Sequence, residues 1–343
     1  MKRKKKKKKV EWRQLQRAPP TADVHSALVT MANLQLDDRS NPFVDFTYEG
    51  RCEALRFVLL APLLAVQVTL GLGLFAAHAF FSFALALCLS TAALYWCYTP
   101  LCYAICRGIM ATGCICVKVE GVEHWKSAAA SGDPLVVVAN HTNLFDPWAI
   151  GCAIGPFSPI VKANMANWPL FGTAVRAWRG IFVGRGANAS NEGLDLAARC
   201  LVPNAGRDVP PLAIFPEGTC SNGEHLLTFR SGAFVARAPI LPLALKWTIS
   251  PTLGPGYVHP HSSVPLFLLR IMAQCSCKRV VVTILPRHVP SAAEAADETG
   301  RTLARAVEAK LASALQVPIA PYTNKDARAF YATLDPEYEA REI

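Results

Sequence analysis

Two kinds of hydrophobic patterning divide the chain. From Phe57 to Cys106, between Arg56 and Arg107, fifty consecutive residues include no Asp, Glu, Lys or Arg. About 20 apolar residues cross a bilayer, so this stretch is too long for one span and sufficient for two joined by a tight turn. The pattern puts the spans at Phe57 to Ala77 and Phe80 to Pro100, with His78 and the small residues around Ser82 at the turn. Tyr95, Trp96, Tyr98 and Tyr103 then form an interfacial aromatic cluster at the returning end. A re-entrant hairpin confined to one leaflet fits the same residues.

After about Cys114 the pattern changes to short apolar runs separated by Gly, Pro and Asn. Cys114 to Val119, Leu135 to Ala139, Ile181 to Val183, Leu212 to Phe215, Leu241 to Leu245 and Val280 to Leu285 read as strands. Several are continuously apolar, as in a sheet covered on both faces. Helical segments fall between them at Trp148 to Ile154, Leu170 to Trp178 and Asn191 to Cys200, which predicts an α/β layer fold. Near the end, Ser291 and Glu294 make a capping box, and Leu303, Val307, Leu311 and Leu315 form an apolar helical stripe that Gly300 separates from it. The resulting organisation is a basic tail at 1–50, a membrane hairpin at 51–106, a folded domain at 107–330 and a short tail at 331–343.

Composition sharpens this picture in one place. Of 343 residues, 52% are hydrophobic, which excludes a disordered polymer. The net charge of +10 comes from 35 Lys+Arg against 25 Asp+Glu, but eight of those cations are the run Lys2 to Lys9; the rest of the chain has 27 against 25. A terminal tract without aromatics is not the spread basic face of a nucleic-acid-binding domain, so no nucleic-acid partner is expected. Its position favours a cytosolic body and attraction to anionic lipid. The twelve cysteines include no C-x-x-C pair, the histidines no H-E-x-x-H, and reduced thiols without a metal site are expected. Nucleophile-elbow, Walker and dinucleotide-binding motifs are also absent.

Two segments have the residue types for catalysis. An apolar strand runs into Asn140-His141-Thr142-Asn143-Leu144-Phe145-Asp146-Pro147. On a continuous helix His141 and Asp146 would lie about 140° apart, so a loop must bring them together. Pro147 suits the first helical turn, which makes Asp146 a natural N-cap. Asp146 as a simple cap and His141 as a packed strand-end residue is the structural alternative. The second segment is Phe215-Pro216-Glu217-Gly218-Thr219, followed by Cys220-Ser221-Asn222-Gly223. Its amides and the Thr219 hydroxyl can receive phosphate oxygens, and Gly218 permits close backbone approach. The Glu217 carboxylate either holds an arginine, with Arg185 of Gly180-Ile181-Phe182-Val183-Gly184-Arg185 the first candidate, or fixes the loop; a solvated turn is the plain reading.

Taken in order, Asn-His-x4-Asp, Gly-Ile-Phe-Val-Gly-Arg, Phe-Pro-Glu-Gly-Thr and Pro239-Ile240-Leu241-Pro242 resemble the four motif blocks of the glycerolipid acyltransferase family. Within it, Phe215 to Phe234, Asn41-Pro42-Phe43 and Val317-Pro318 to Tyr322-Thr323 are similar to the lysophosphatidylcholine and lysophosphatidylethanolamine acyltransferase branch. The resemblance implies that family's fold, a mixed sheet flanked by helices, here behind an N-terminal two-helix membrane hairpin. It implies transfer of a fatty acyl group from acyl-CoA, a co-substrate, to the hydroxyl of a lysophospholipid, with no cofactor. His141 is then the general base and Asp146 its partner, while Arg185, Glu217, Gly218 and Thr219 are assigned to the acceptor phosphate. Glycerol-3-phosphate or lysophosphatidic acid is the alternative acceptor, and an inactive lipid-binding adaptor is the reading from another class. An endoplasmic reticulum membrane with a cytosolic catalytic domain is implied by the same resemblance. The chain ends at Ile343 without room for the EF-hand pair of some relatives, so calcium regulation through such a pair is not expected.

Overall fold

The computed structural model describes residues 41–43, 53–168, 171–184, 210–249, 264–273 and 278–334. The basic tract, the helix expected at Asn191 to Cys200 and Arg185 lie outside them. In chain order the elements that frame the site begin with helices α1 (Glu53–Cys88) and α2 (Thr91–Thr112), then β1 (Ile115–Glu120), α3 (Val122–Ser131), β2 (Val136–Ala139), α4 (Asp146–Ile154), β3 (Ser158–Lys162), α5 (Phe171–Ala177) and β4 (Ile181–Val183). They continue with β5 (Leu212–Ile214), β6 (Leu226–Leu227), β7 (Ile240–Thr248), α6 (Val264–Met272), β8 (Lys278–Ile284), α7 (Ala292–Ala296), α8 (Arg301–Leu315), β9 (Ile319–Ala320) and α9 (Asn324–Leu334).

The apolar stretch does not turn at His78. α1 runs unbroken for 36 residues, about 54 Å at 1.5 Å per residue. The chain reverses only at Leu89 and Ser90, where the Ser90 hydroxyl caps α2 by accepting from the Ala93 amide at 3.3 Å. The reason is visible in the residues that suggested a turn. His78 and Ser82 face inward from the helix, His78 paired through Nδ1 with the Tyr98 hydroxyl at 2.9 Å and Ser82 accepting from Trp178 Nε1 at 3.0 Å. Their polarity is met by side-chain partners, so the helix has no cause to end there. Tyr95 and Tyr98 are likewise not at a membrane interface: both are buried where α2 packs on the folded domain. Among the described residues α1 is the one helix long and apolar enough to cross a membrane. Val58, Leu59, Leu63, Val66, Leu70, Leu72, Phe80 and Leu87 stand exposed along it.

Seven strands form one sheet in the order β1-β8-β7-β2-β5-β3-β4, parallel throughout except for the antiparallel pair β7–β8. This is the mixed sheet flanked by helices that the sequence predicts. The continuous apolar run of β2 follows from its place near the centre, because successive side chains leave a strand on opposite faces. Val137 and Ala139 enter the core shared with α2 and α4, whereas Val136 and Val138 enter the core shared with Leu303, Val307, Leu311 and Leu315 of α8. Each such buried aliphatic side chain contributes roughly 1.5–3 kcal/mol before chain entropy is counted. The expected capping box is present at α7, and Gly300, with φ +67°, separates α7 from α8.

α2 sets the domain against the apolar helix. It crosses α4 so closely that a Cβ at Gly151 would lie 2.5 Å from Cys106 Sγ. The triplet Asn41–Phe43 is docked on the domain. Phe43 is buried among Leu227, Ala320, Ala327, Phe330 and Tyr331, and Asn222 donates from its backbone to the Pro42 carbonyl at 2.9 Å and from Nδ2 to the Asn41 carbonyl at 3.2 Å.

Candidate active site

The parallel strands β2 and β5 lie side by side, so the loops leaving their C-terminal ends meet above the sheet edge. That edge is where open α/β sheets place their ligand sites. The loop after β2 has Asn140 to Phe145, and the loop after β5 has Phe215 to Gly223.

His141 and Asp146, predicted to meet through a loop, do so: imidazole Nδ1 lies 2.8 Å from Asp146 Oδ2. Asp146 is fully buried and its oxygens are saturated. Oδ2 also accepts from the Thr142 and Asn143 amides, each at 2.7 Å, and Oδ1 accepts from Trp247 Nε1 at 2.7 Å. The N-cap expectation is therefore corrected in detail. Phe145 occupies the cap position, Asp146 is the first residue of α4 with Pro147 after it, and its carboxylate turns back to the loop instead of capping its own helix. A buried carboxylate with four donors is a rigid anchor for an imidazole.

His141 is held from its other sides too. Its ring stacks on Phe215 with centroids 4.2 Å apart and an interplanar angle of 19°. Its amide donates to Glu217 Oε1 at 2.7 Å, and its carbonyl accepts from the Ser221 amide at 2.9 Å. The side chain keeps 22% of its surface exposed, so part of it remains accessible. With Nδ1 engaged by the carboxylate, Nε2 is the basic nitrogen. Burial pushes the imidazole pKa down, but the neighbouring Cys220 and Asp146 outweigh it and leave His141 titrating well above its ordinary value.

Of the two roles open to Glu217, the loop-fixing one is what the described residues display, while Arg185 lies outside them. Glu217 is fully buried; Oε1 takes the His141 amide and Oε2 takes the Leu227 amide at 3.0 Å. The carboxylate thus ties the two loops and β6 together and is not turned out towards an anion. Burial pushes its pKa up to about 8, against the opposing pull of the two amide bonds. Gly218 is exposed with φ +69°, a conformation that favours glycine, and Thr219 beside it is partly exposed.

Several residues that the motif reading did not assign complete the site. Asn140 bonds both ways with Leu245 of β7, Nδ2 to its carbonyl at 3.0 Å and Oδ1 from its amide at 2.8 Å, locking the end of β2 to the neighbouring strand. Trp247 and Phe215 hold the dyad from above and beside, and Cys220 adjoins the imidazole. Asn140, Phe215 and Cys220 lie inside the recognised motifs, whereas Trp247 carries no local signal. Among the described residues no group of three or more His, Cys, Asp or Glu side chains converges as a metal site would.

Comparison with known proteins now has a geometry to attach to. The acyltransferase family matches residues 116–246, the span from β1 to β7 that contains both loops. This segment is an acyltransferase domain. Rat lysophosphatidylcholine acyltransferase 2 is 29% identical over 216 residues, 62% of this chain and 37% of that protein. Zebrafish lysophosphatidylcholine acyltransferase 1 is 30% identical over 219 residues, and human lysophospholipid acyltransferase LPCAT4 is 30% identical over 212. The chain spans under two fifths of the length of these relatives. Among solved structures, the 1-acyl-sn-glycerophosphate acyltransferase PlsC of Thermotoga maritima superposes with TM-score 0.55 at 16% identity, covering 76% of this chain and 96% of that one. The acyltransferase domain shares that fold.

Proposed function

We propose that the chain transfers a fatty acyl group from acyl-CoA to the free hydroxyl of a lysophospholipid, lysophosphatidylcholine or lysophosphatidylethanolamine. The observation that carries this reading is the His141–Asp146 pair, its imidazole side chain partly exposed, inside an acyltransferase domain. The alcohol is a poor nucleophile until it loses its proton. His141 Nε2 removes it as the oxygen attacks the thioester carbonyl carbon, and Asp146 stabilises the imidazolium without taking a proton itself. The tetrahedral intermediate then expels the CoA sulfur, which leaves with the proton from His141. General-base help of this kind contributes about 10² to 10⁴ in rate. No cofactor or metal enters the sequence of steps.

Phosphate on the acceptor is assigned to Gly218 and Thr219, with Arg185 joining them on the family resemblance. Glu217 shapes that loop from beneath through its two amide bonds. The exposed apolar flank of α1 gives the acyl chains of both substrates a bilayer-continuous surface. An endoplasmic reticulum membrane with the catalytic domain in the cytosol fits the basic tract and the resemblance to the branch. The PlsC fold match favours lysophosphatidic acid as a second acceptor class.

The test is acyl transfer by the purified full chain in micelles, with labelled acyl-CoA and a panel of lysophosphatidylcholine, lysophosphatidylethanolamine, lysophosphatidic acid and glycerol-3-phosphate. One of the first two should be the preferred acceptor. His141→Ala should lose transfer by at least about 100-fold while the protein stays in the membrane fraction. Normal turnover by that variant sinks the proposed mechanism.

A further inference from the structure

The triplet Asn41–Phe43 precedes the apolar helix α1, yet it is built into the loop that holds His141. Asn41 Oδ1 accepts from the Phe43 amide at 2.9 Å, a side-chain turn across Pro42. The turn presents the Asn41 and Pro42 carbonyls to Asn222, which donates to the first from Nδ2 and to the second from its amide. Phe43 then fills a cage of Tyr322, Phe330 and Tyr331, each ring centroid 6.1 Å away, with Leu227 as a further wall. Among the described residues this small core shares no member with the two that enclose the sheet. Emptying the cage therefore leaves the packing of the sheet itself in place.

Two routes lead from the triplet to the imidazole. Ser221 and Asn222 are consecutive, and their amides reach different segments: Asn222 donates to Pro42, Ser221 to the His141 carbonyl. Leu227 packs on Phe43, while its amide donates to Glu217 Oε2 and Glu217 Oε1 receives the His141 amide. The His141 amide and carbonyl are thus both held by groups that the triplet braces. Gly223, with φ +79°, brings the same loop against Thr142, where a Cβ would lie 3.3 Å from Thr142 Cγ2. We propose that Asn41–Phe43 is a positioning element of the active site, a clasp that sets His141 for acyl transfer through the loop after β5. No proton or acyl group passes through it. Its role rests on the proposed acyl transfer, and its contacts stand independently of that reading. A base displaced by about 1 Å loses up to about 100-fold in rate, so a clasp two bonds away from it matters. Burial lowers the His141 pKa while Cys220 and Asp146 raise it above its ordinary value. Loosening the loop weakens all three influences and moves the titration down towards that ordinary value.

The test compares full-length wild type, Phe43→Ala, Phe43→Leu, Asn222→Ala and Leu311→Ala in micelles. Labelled acyl transfer gives kcat and KM, thermal unfolding gives stability, and NMR of 13C-labelled histidine gives the His141 titration, its signal identified by its loss in His141→Ala. Phe43→Ala should lower kcat about tenfold to a hundredfold with the KM for acyl-CoA within about threefold, and should lower the His141 pKa. Phe43→Leu, which refills most of the cage, should recover most of both. Asn222→Ala keeps the cage filled and removes one link, so kcat should fall about twofold to tenfold. That variant decides the question if Phe43→Ala does not fold. Leu311→Ala opens a cavity in the separate α8 core and should lower stability while keeping kcat and the His141 titration. Wild-type kcat with an unmoved titration in the folded clasp variants overturns the proposal. An equal kcat loss in Leu311→Ala also overturns it, because the effect is then general loosening. If the wild type transfers acyl groups to no acceptor, the proposed function fails, and the clasp then stands or falls on the His141 titration alone.

Discussion

Replacing Asp146 with Asn isolates what the buried carboxylate does. Its two oxygens receive four hydrogen bonds at 2.7–2.8 Å, three on Oδ2 and one on Oδ1. An asparagine that keeps its carbonyl oxygen on the three-donor side turns its NH₂ towards Trp247 Nε1–H, donor against donor. Leaving that buried indole unsatisfied costs about 1–3 kcal/mol, and each surviving bond, no longer charge-assisted, weakens by roughly 1 kcal/mol. The variant should therefore be less stable by about 4–6 kcal/mol and still retain a His141 oriented through the loop and Phe215. The chemical loss is larger than this structural one, because no negative charge remains to stabilise the imidazolium. We expect kcat for labelled acyl transfer to fall about 100- to 10,000-fold, with both KM values within about threefold. Thermal unfolding and kcat are measured on the same preparation. A folded Asp146→Asn protein that turns over at the wild-type rate would show that the carboxylate only pins the loop, and the reasoning would be wrong.

Two further substitutions probe the same shell. Glu217→Gln sets one NH₂ against the amide of His141 or Leu227, so stability should drop by about 1–3 kcal/mol at neutral pH, read by chemical denaturation. Because the wild-type Glu217 pKa is raised to about 8, burial penalises its ionised form increasingly from about pH 4.5 to about 8; the stability gap to Gln should narrow over that range and be widest in acid. Cys220→Ser removes the neighbour that does most to hold the His141 pKa up, so that pKa should fall. A general base works only above its pKa, so the acid limb of the kcat/KM profile should move to lower pH in Cys220→Ser, and an unmoved limb refutes the contact. The linked stability has the opposite sense: the contribution of protonated His141 to stability is complete below about pH 6.5 and is lost as pH rises through its raised pKa.

The dyad was legible in the sequence because both members lie within one loop and Pro147 fixes where the helix must begin. Glu217 was legible as a position and, among two alternatives, as a loop-fixing carboxylate, but its partners were not, since they are the amides of residues 76 and 10 positions away. Trp247 lies 101 residues from the carboxylate it caps, and no spacing rule links a strand residue to a loop so distant. The α/β class followed from the alternating pattern, whereas the hairpin turn was misplaced. Polar residues in an apolar run signal a turn only if nothing else satisfies them, and here Tyr98 and Trp178 from other segments do so. Strands as short as β6 and β9, two residues each, are products of packing around Phe43 and Tyr331 and leave no periodicity to read.

The docked triplet Asn41–Phe43 also bears on membrane topology. It precedes α1 and β1 follows α2, yet Asn222 and Tyr331 hold that triplet on the domain to which β1 belongs. Entry and exit therefore share one aqueous compartment. The number of complete passages made between them must be even, two or none, and a single one-way passage through the bilayer is ruled out by parity.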